Sequence, residues 1–259
     1  MDLNSYFKRI GVHGEMKVDL ESLKRLHLSH ATSIPFENLD IQLGKTISLG
    51  LEELQKKMIY NKRGGYCFEQ NTLMQAVLAE IGFDAIACEA RVRMGRAVIN
   101  PRTHMLLVVN LPEGGHLVDV GFGGDGLLLP VPLDGTEETQ FLWTYRVLKE
   151  EPLYVLQVLR PDGWLDLYTF IPEARYSIDF EVANWYTCAH PESRFVQTLT
   201  AQLPSSEARY ILRNKLFVIE RGGAEEVREL AGREELLQIL DQVFGLSFPA
   251  DTQFRNPVF

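Results

Sequence analysis

The chain has 259 residues, 46% of them hydrophobic and 24% charged, and carries a net charge of −9. That length supports a sizeable core in one large domain or two to three small ones, and the acidic balance argues against nucleic acid as the main partner. No apolar run approaches the ~18 residues that cross a bilayer, and "MDLNSYFKRI" lacks the apolar centre of a signal peptide, so no membrane partner and a cytoplasmic location are expected.

The first 84 residues read mainly as helices. "VDLESLKRLHLSH" sets Leu20, Leu23 and Leu26 at near-helical spacing behind Asp19, a natural N-cap. "SLGLEELQKKMIY" repeats the pattern with Leu51, Leu54 and Met58. "NTLMQAVLAEIGF" then puts Leu73, Met74, Val77, Leu78 and Ile81 on one stripe, and Gly82 supplies a left-handed stop. From about residue 84 to 170 the segments shorten and fill with branched and aromatic residues, as strands do. "SIDFEVANWYTCAHP" predicts a helix ending before Pro191. "KLFVIE" predicts one strand, and a last helix carries Leu236, Leu237, Leu240, Val243 and Phe244 on one face. Helices, then strands, then a mixed segment is an α+β order.

Three cysteines are too few and too scattered for a disulfide framework. Cys67, in "KRGGYCFEQN", opens the third helix directly after Gly64 and Gly65. Unpaired N–H groups and the positive dipole end at a helix N-terminus favour a thiolate, and the same donors suit an oxyanion on an attacked carbonyl. The glycines would let the backbone turn tightly and leave the sulfur open. The plain alternative is a packed thiol.

A nucleophilic thiol needs a base. His13, His27 and His30 read as surface residues, and His190 precedes a proline at a helix end. His104 and His116 bracket a predicted hairpin, "THMLLVVN" and "HLVDVGFGG". Asp119 sits between valines in the second strand, a costly place for a carboxylate without a partner. Opposed residues in an antiparallel hairpin have a constant sum, odd when the loop length is even. His104 and Asp119 sum to an odd number, so an even loop puts them on one face. His116, three residues from Asp119, should face the other way. The expected triad is Cys67 as nucleophile, His104 as base and Asp119 orienting the imidazole. No C-x-x-C pair exists, so a zinc site is disfavoured and no metal is expected.

"RGGYCFEQN", "THMLLVV" and "LVDVGFGG", with "SIPFENLDI" and "NWYTCAHPESRF", resemble the ordered signatures of the arylamine N-acetyltransferases. The likeness runs to about residue 245. It implies a papain-like cysteine-protease-type core: an N-terminal helical bundle (1–84) carrying the cysteine, a central antiparallel β-barrel (85–190) carrying His and Asp, and a C-terminal α/β lid (191–259). It also implies acetyl-CoA as co-substrate and ping-pong transfer through an acetyl-Cys67 thioester to an arylamine, arylhydrazine or N-hydroxyarylamine. An amide synthase or thiol hydrolase would use the same triad. By the same resemblance, Phe36, Phe122 and Phe195 line the acceptor pocket, and Thr103, Phe122, Gly123 and Gly124 approach CoA. Arg63 would brace the site. The chain lacks the insertion of the eukaryotic members, which favours a bacterial-type enzyme, and it has Cys188 where relatives commonly carry a small hydroxyl residue. A homodimer is left open.

Arg91, Arg93, Arg96 and Arg102 cluster just ahead of His104 in an otherwise acidic protein. Part of this cluster is expected to meet the phosphates of CoA, against the plainer reading of a solvated hairpin edge.

Overall fold

The computed structural model describes residues 1–95, 99–257 and 259. Local rules set the first helices. Asp2 accepts the N–H of Ser5 at 3.0 Å ahead of α1 (Leu3–Ile10). Asp19 accepts that of Ser22 at 2.8 Å ahead of α2 (Leu20–Ser33). A two-residue strand β1 (Phe36–Glu37) and the short α3 (Leu39–Gln42) follow. Next, α4 (Leu51–Leu54) runs into a π-helical stretch, Gln55–Tyr60, so the second predicted helix is real but widens over its last residues. The third, α5 (Cys67–Ile81), begins at the cysteine and ends at Gly82, whose φ of 106° closes it as expected.

Strands β2 (Asp84–Val92), β3 (Arg102–Leu111), β4 (Gly114–Val118), β5 (Val131–Pro132), β6 (Glu138–Gln140), β7 (Trp143–Glu150), β8 (Leu153–Arg160) and β9 (Gly163–Phe170) form one antiparallel sheet. Its order is β5-β4-β3-β2-β9-β8-β7-β6, and β5 comes back into contact with β7, so the sheet is a nearly closed barrel. The chain continues through α6 (Ser177–Ala189) and α7 (Arg194–Gln197). Strands β10 (Thr200–Pro204), β11 (Arg209–Arg213), β12 (Leu216–Arg221) and β13 (Ala224–Glu229) then extend β1 into a five-stranded sheet covered by α8 (Arg233–Phe244). The architecture is α+β, as expected. Where the sequence pattern gave one strand after α6, the structure has four. Strands β10 and β11 are short, and β13 is exposed along its length, so none of the three shows the alternation that marks a half-buried strand.

Three apolar clusters hold the chain. One packs α1, α2, α4 and α5 against the outer face of the barrel through Met105, Leu107 and Val109. A second fills the barrel with Leu106, Val108, Tyr145, Tyr168 and Phe170. The third lies under α8. Alternate residues of β3 therefore serve two cores, which is why "HMLLVV" is a continuous apolar run. Among the described residues no helix is long and apolar enough to cross a membrane.

His27 and His30 correct the sequence reading. Both are fully buried rather than on the surface. The polar residues around them in α2 suggest a solvated helix, but the turn after β4 covers His27, and Tyr6 of α1 and Gln70 of α5 enclose His30.

Candidate active site

The turn before α5 explains its glycines. A Cβ on Gly64 would stand 2.0 Å from the Pro35 carbonyl oxygen, so no other residue fits. Gly65 donates its N–H to Pro35 and accepts that of Glu37, which threads the turn alongside β1. Neither glycine has a positive φ, so close backbone approach, rather than a tight left-handed turn, requires them. Arg63 donates two bonds to Glu37 Oε1, at 2.9 and 2.7 Å, and one to Asp40 at 3.2 Å. Lys57 bridges Asp40 and Glu69 at 3.0 and 2.7 Å, and Glu69 accepts the N–H of Tyr66. These charges tie Arg63 to β1 and α3, and Tyr66 through Glu69 to the π-helical stretch, directly ahead of the cysteine.

Cys67 occupies the first position of α5 and is 3% exposed, so its sulfur is more enclosed than the sequence suggested. Its Sγ lies 3.8 Å from the carbonyl oxygen of Thr103 and interacts with the His104 side chain. The first backbone bond of the helix runs from Gln70 to Tyr66. The N–H groups of Cys67 and Phe68 precede it and belong to the turn that has no intrahelical acceptor.

The hairpin has the register that brings its two polar residues together. Leu107 opposes Val118 and Leu111 opposes Gly114, across a two-residue loop, Pro112 and Glu113. The even loop puts His104 and Asp119 on the barrel-facing side, with Asp119 just past the end of β4. His104 Nε2 donates to Asp119 Oδ2 over 2.7 Å. His116 pairs with Val109 on the opposite face and hydrogen-bonds the Gly114 carbonyl.

Asp119 is 1% exposed and accepts four hydrogen bonds. Tyr168 Oη shares Oδ2 at 2.8 Å, while Asn71 Nδ2 and the Gly121 N–H reach Oδ1 at 2.9 and 3.0 Å. Bonds to a charged acceptor contribute ~1.5–3 kcal/mol each, enough together to offset several kcal/mol of carboxylate desolvation. Burial acts to raise its pKa, but His104, Asn71 and Gly121 outweigh it and hold Asp119 below the usual carboxylate range. Burial likewise opposes charge on His104, yet the Asp119 carboxylate and the Cys67 side chain raise its pKa.

Asn71, one helical turn beyond Cys67, joins three elements. It donates to the Met105 carbonyl at 2.7 Å and to Asp119, and accepts the Val120 N–H at 3.1 Å. Gly121 passes so close that a Cβ there would come within 2.7 Å of Cys67 Cα. His27 accepts the Asp119 N–H through Nε2, and burial lowers its pKa to about 4, which keeps it neutral. His30 bridges Tyr6 Oη and Gln70 Oε1, and burial lowers its pKa to about 3. Gln70 in turn donates to the Pro35 and Gly65 carbonyls.

The residues expected to hold ligands divide between two places. Phe122 packs edge-on against His104, with ring centroids 5.1 Å apart, and against Tyr168 at 5.0 Å. Phe36 and Phe195 lie 5.9 Å apart, and Tyr66 meets Phe195 at 5.5 Å, forming an aromatic wall near the Cys67 turn. Asn38 and Gln42 hold the Phe195 carbonyl at 2.8 Å each. Thr103 presents its carbonyl to the thiol. Gly123 and Gly124 both have positive φ and pass against Phe36 and Gln202. The Gly124 N–H donates to Gln202 Oε1, so that donor is already engaged by the five-stranded sheet.

The sequence does not mark Asn71 or Tyr168 as site residues, and it reads His27 as a surface residue. Only Asn71 left a signal there, a polar residue one helical turn beyond the cysteine.

Residues 19–253 match the N-acetyltransferase family. The chain is 38% identical over 253 residues to the arylamine N-acetyltransferase of Mycolicibacterium smegmatis, covering 95% of this chain and 92% of that protein. A crystal structure of a variant of the Mycobacterium smegmatis enzyme superposes with a TM-score of 0.92 at 37% identity, covering 98% and 97% of the two chains. The Mycobacterium marinum arylamine N-acetyltransferase in complex with CoA gives 0.91 at 35% identity, covering 95% and 93%.

Proposed function

The chain belongs to the arylamine N-acetyltransferase family, and from that premise we propose that Cys67 carries an acetyl group from acetyl-CoA to an aromatic amine, hydrazine or N-hydroxyarylamine. The observation that carries the reading is the buried His104–Asp119 pair, with the Cys67 thiol at the start of α5 against the carbonyl of Thr103, the residue before His104.

In the first half-reaction His104 takes the thiol proton and Cys67 Sγ attacks the thioester carbonyl. The Cys67 and Phe68 N–H groups, which have no intrahelical acceptor, serve the developing oxyanion. Collapse forms the acetyl-Cys67 thioester, breaks the C–S bond to CoA and returns the proton from His104 to the departing thiolate. In the second half-reaction the acceptor nitrogen attacks, His104 takes its proton, and the thiolate of Cys67 leaves. Asp119 orients the ring and stabilises the imidazolium in both halves. Thioester exchange needs little driving force, so the larger demand is exclusion of water. Cys67, His104 and Asp119 are each at most 3% exposed, which favours transfer over hydrolysis. The wall of Phe36, Phe195 and Tyr66 suits a planar aromatic acceptor.

Intact-mass measurement after mixing with acetyl-CoA tests this. The protein should gain one acetyl group, lose it on addition of an arylamine, and gain none as Cys67→Ala. Release of free acetate with no amine acetylated would point instead to a hydrolase.

A further inference from the structure

The arginines ahead of His104 do not form the group that their order in the chain suggests. Arg93 is turned away, held by Asp166 at 2.8 Å and Glu150 at 3.4 Å. Arg96 lies outside the described residues. Arg91 and Arg102 are directly opposed across β2 and β3, and Thr169 of β9 completes the row. From the loop after β9, Arg175 joins them, its N–H bonded to the Ala87 carbonyl. These residues, with Glu89, line a shallow surface cleft.

Like charges directly opposed on a sheet destabilise it. The local carboxylates relieve this only in part. Glu89 Oε2 accepts from Arg102 at 3.3 Å and from Arg175 at 3.1 Å, and Glu173 pairs with Arg175 at 2.9 Å. Among the described residues Arg91 has no carboxylate partner, and its guanidinium donates to the Asn100 carbonyl at 2.8 Å. Three guanidinium groups therefore face a cleft with two carboxylates, in a chain of net charge −9. The sheet is also irregular here: its register shifts between Ala90 and Arg91, opposite Thr103. Bulges of this kind re-aim groups beside active sites. Thr103 is the residue after Arg102, and its carbonyl is the one 3.8 Å from Cys67 Sγ.

We infer that the cleft of Arg91, Arg102 and Arg175 receives the phosphates of the acyl donor while its thioester reaches Cys67 past Thr103. This rests on the reading of Cys67 as the acceptor of acetyl from acetyl-CoA. Guanidinium groups bind phosphate through paired, charge-assisted hydrogen bonds, and a side chain held only by a backbone carbonyl is free to exchange that bond for one to phosphate.

The test compares two donors with the same thioester, acetyl-CoA and S-acetylpantetheine, which lacks the phosphates. Acetylation of Cys67 is followed by intact mass for the wild type, Arg91→Gln, Arg102→Gln, the double variant and Arg93→Gln. The half-saturating concentration of acetyl-CoA should rise about tenfold in Arg91→Gln and further in the double variant. With S-acetylpantetheine the same variants should stay within about twofold of wild type, which also shows that the site is folded. Arg93→Gln should match wild type with both donors. An unchanged acetyl-CoA constant, or an equal loss with both donors, overturns the inference and leaves the acetyl-transfer reading standing. Wild-type protein that takes no acetyl from acetyl-CoA overturns both.

Discussion

Two carboxylates in the segment 119–125 are drawn out of water by opposite kinds of partner. Asp119 faces His104, Tyr168, Asn71 and the Gly121 N–H, beside a thiol. Asp125 faces two guanidinium groups, Arg160 and Arg209, with Arg209 at 3.0 Å. Arg209 is 2% exposed, stacks on Trp143 at 4.1 Å, and bonds the Gly126 carbonyl and Tyr145 Oη. Glu220 of β12 accepts from Trp143, so this second cluster ties the barrel, the loop and the five-stranded sheet together. A guanidinium holds its proton at any working pH, and such a pair can only fasten. An imidazole can give its proton up, and the same burial then becomes chemistry. Burial of a carboxylate alone does not mark a catalytic site; the titratable partner does.

The sharpest way to break this comparison is to neutralise each carboxylate in turn. Asp119→Asn should lower kcat by about 10³- to 10⁴-fold, because the imidazole loses the carboxylate that fixes its tautomer and stabilises its charged form, while the fold survives. Asp125→Asn should leave kcat within about tenfold but lower stability in urea by about 2–3 kcal/mol. That is below the ~3–5 kcal/mol of a fully buried pair because Asp125 keeps 15% exposure. Similar kcat losses in the two variants would dissolve the distinction.

Buried histidines give a second contrast. His104 is raised by its carboxylate, whereas His27 and His30 are lowered by burial to about 4 and 3. For the lowered pair the unfolded chain binds protons first. Their contribution is complete above pH 6.5 and is lost as pH falls towards 4 and 3, by up to ~1.4 kcal/mol per pH unit for each. His30→Gln should flatten the fall in Tm between pH 6.5 and 4; an unchanged slope would place the acid sensitivity elsewhere. The smallest effect is expected at Tyr168. Tyr168→Phe removes one of four donors to Asp119, so kcat should fall about fivefold, equivalent to ~1 kcal/mol. The variant's pH–rate profile should shift with it, which loss of packing alone would not cause.

Much of the site could be read before the fold was known because it is local in the chain. The cysteine sits at a helix start marked by glycines, and the His–Asp pair follows from the parity of one hairpin loop. The long apolar stripe of α5 and the cap at Asp19 were legible for the same reason. What stayed hidden depends on contacts between distant segments. Tyr168 reaches Asp119 only because β9 pairs with β2, and His27 looks solvated until the turn after β4 covers it. Arg175 joins Arg91 and Arg102 from a loop far along the chain, with no sequence pattern to announce it. Most of the five-stranded sheet escapes a sequence reading, β13 above all, because it is exposed throughout and carries no alternation.

The central claim is that one thiol carries the acetyl group between two substrates that bind in turn. Initial rates measured over a grid of acetyl-CoA and arylamine concentrations test it directly. The account predicts parallel lines in double-reciprocal plots, with CoA released before the amine is consumed; intersecting lines, with no CoA released until the amine is added, would contradict it.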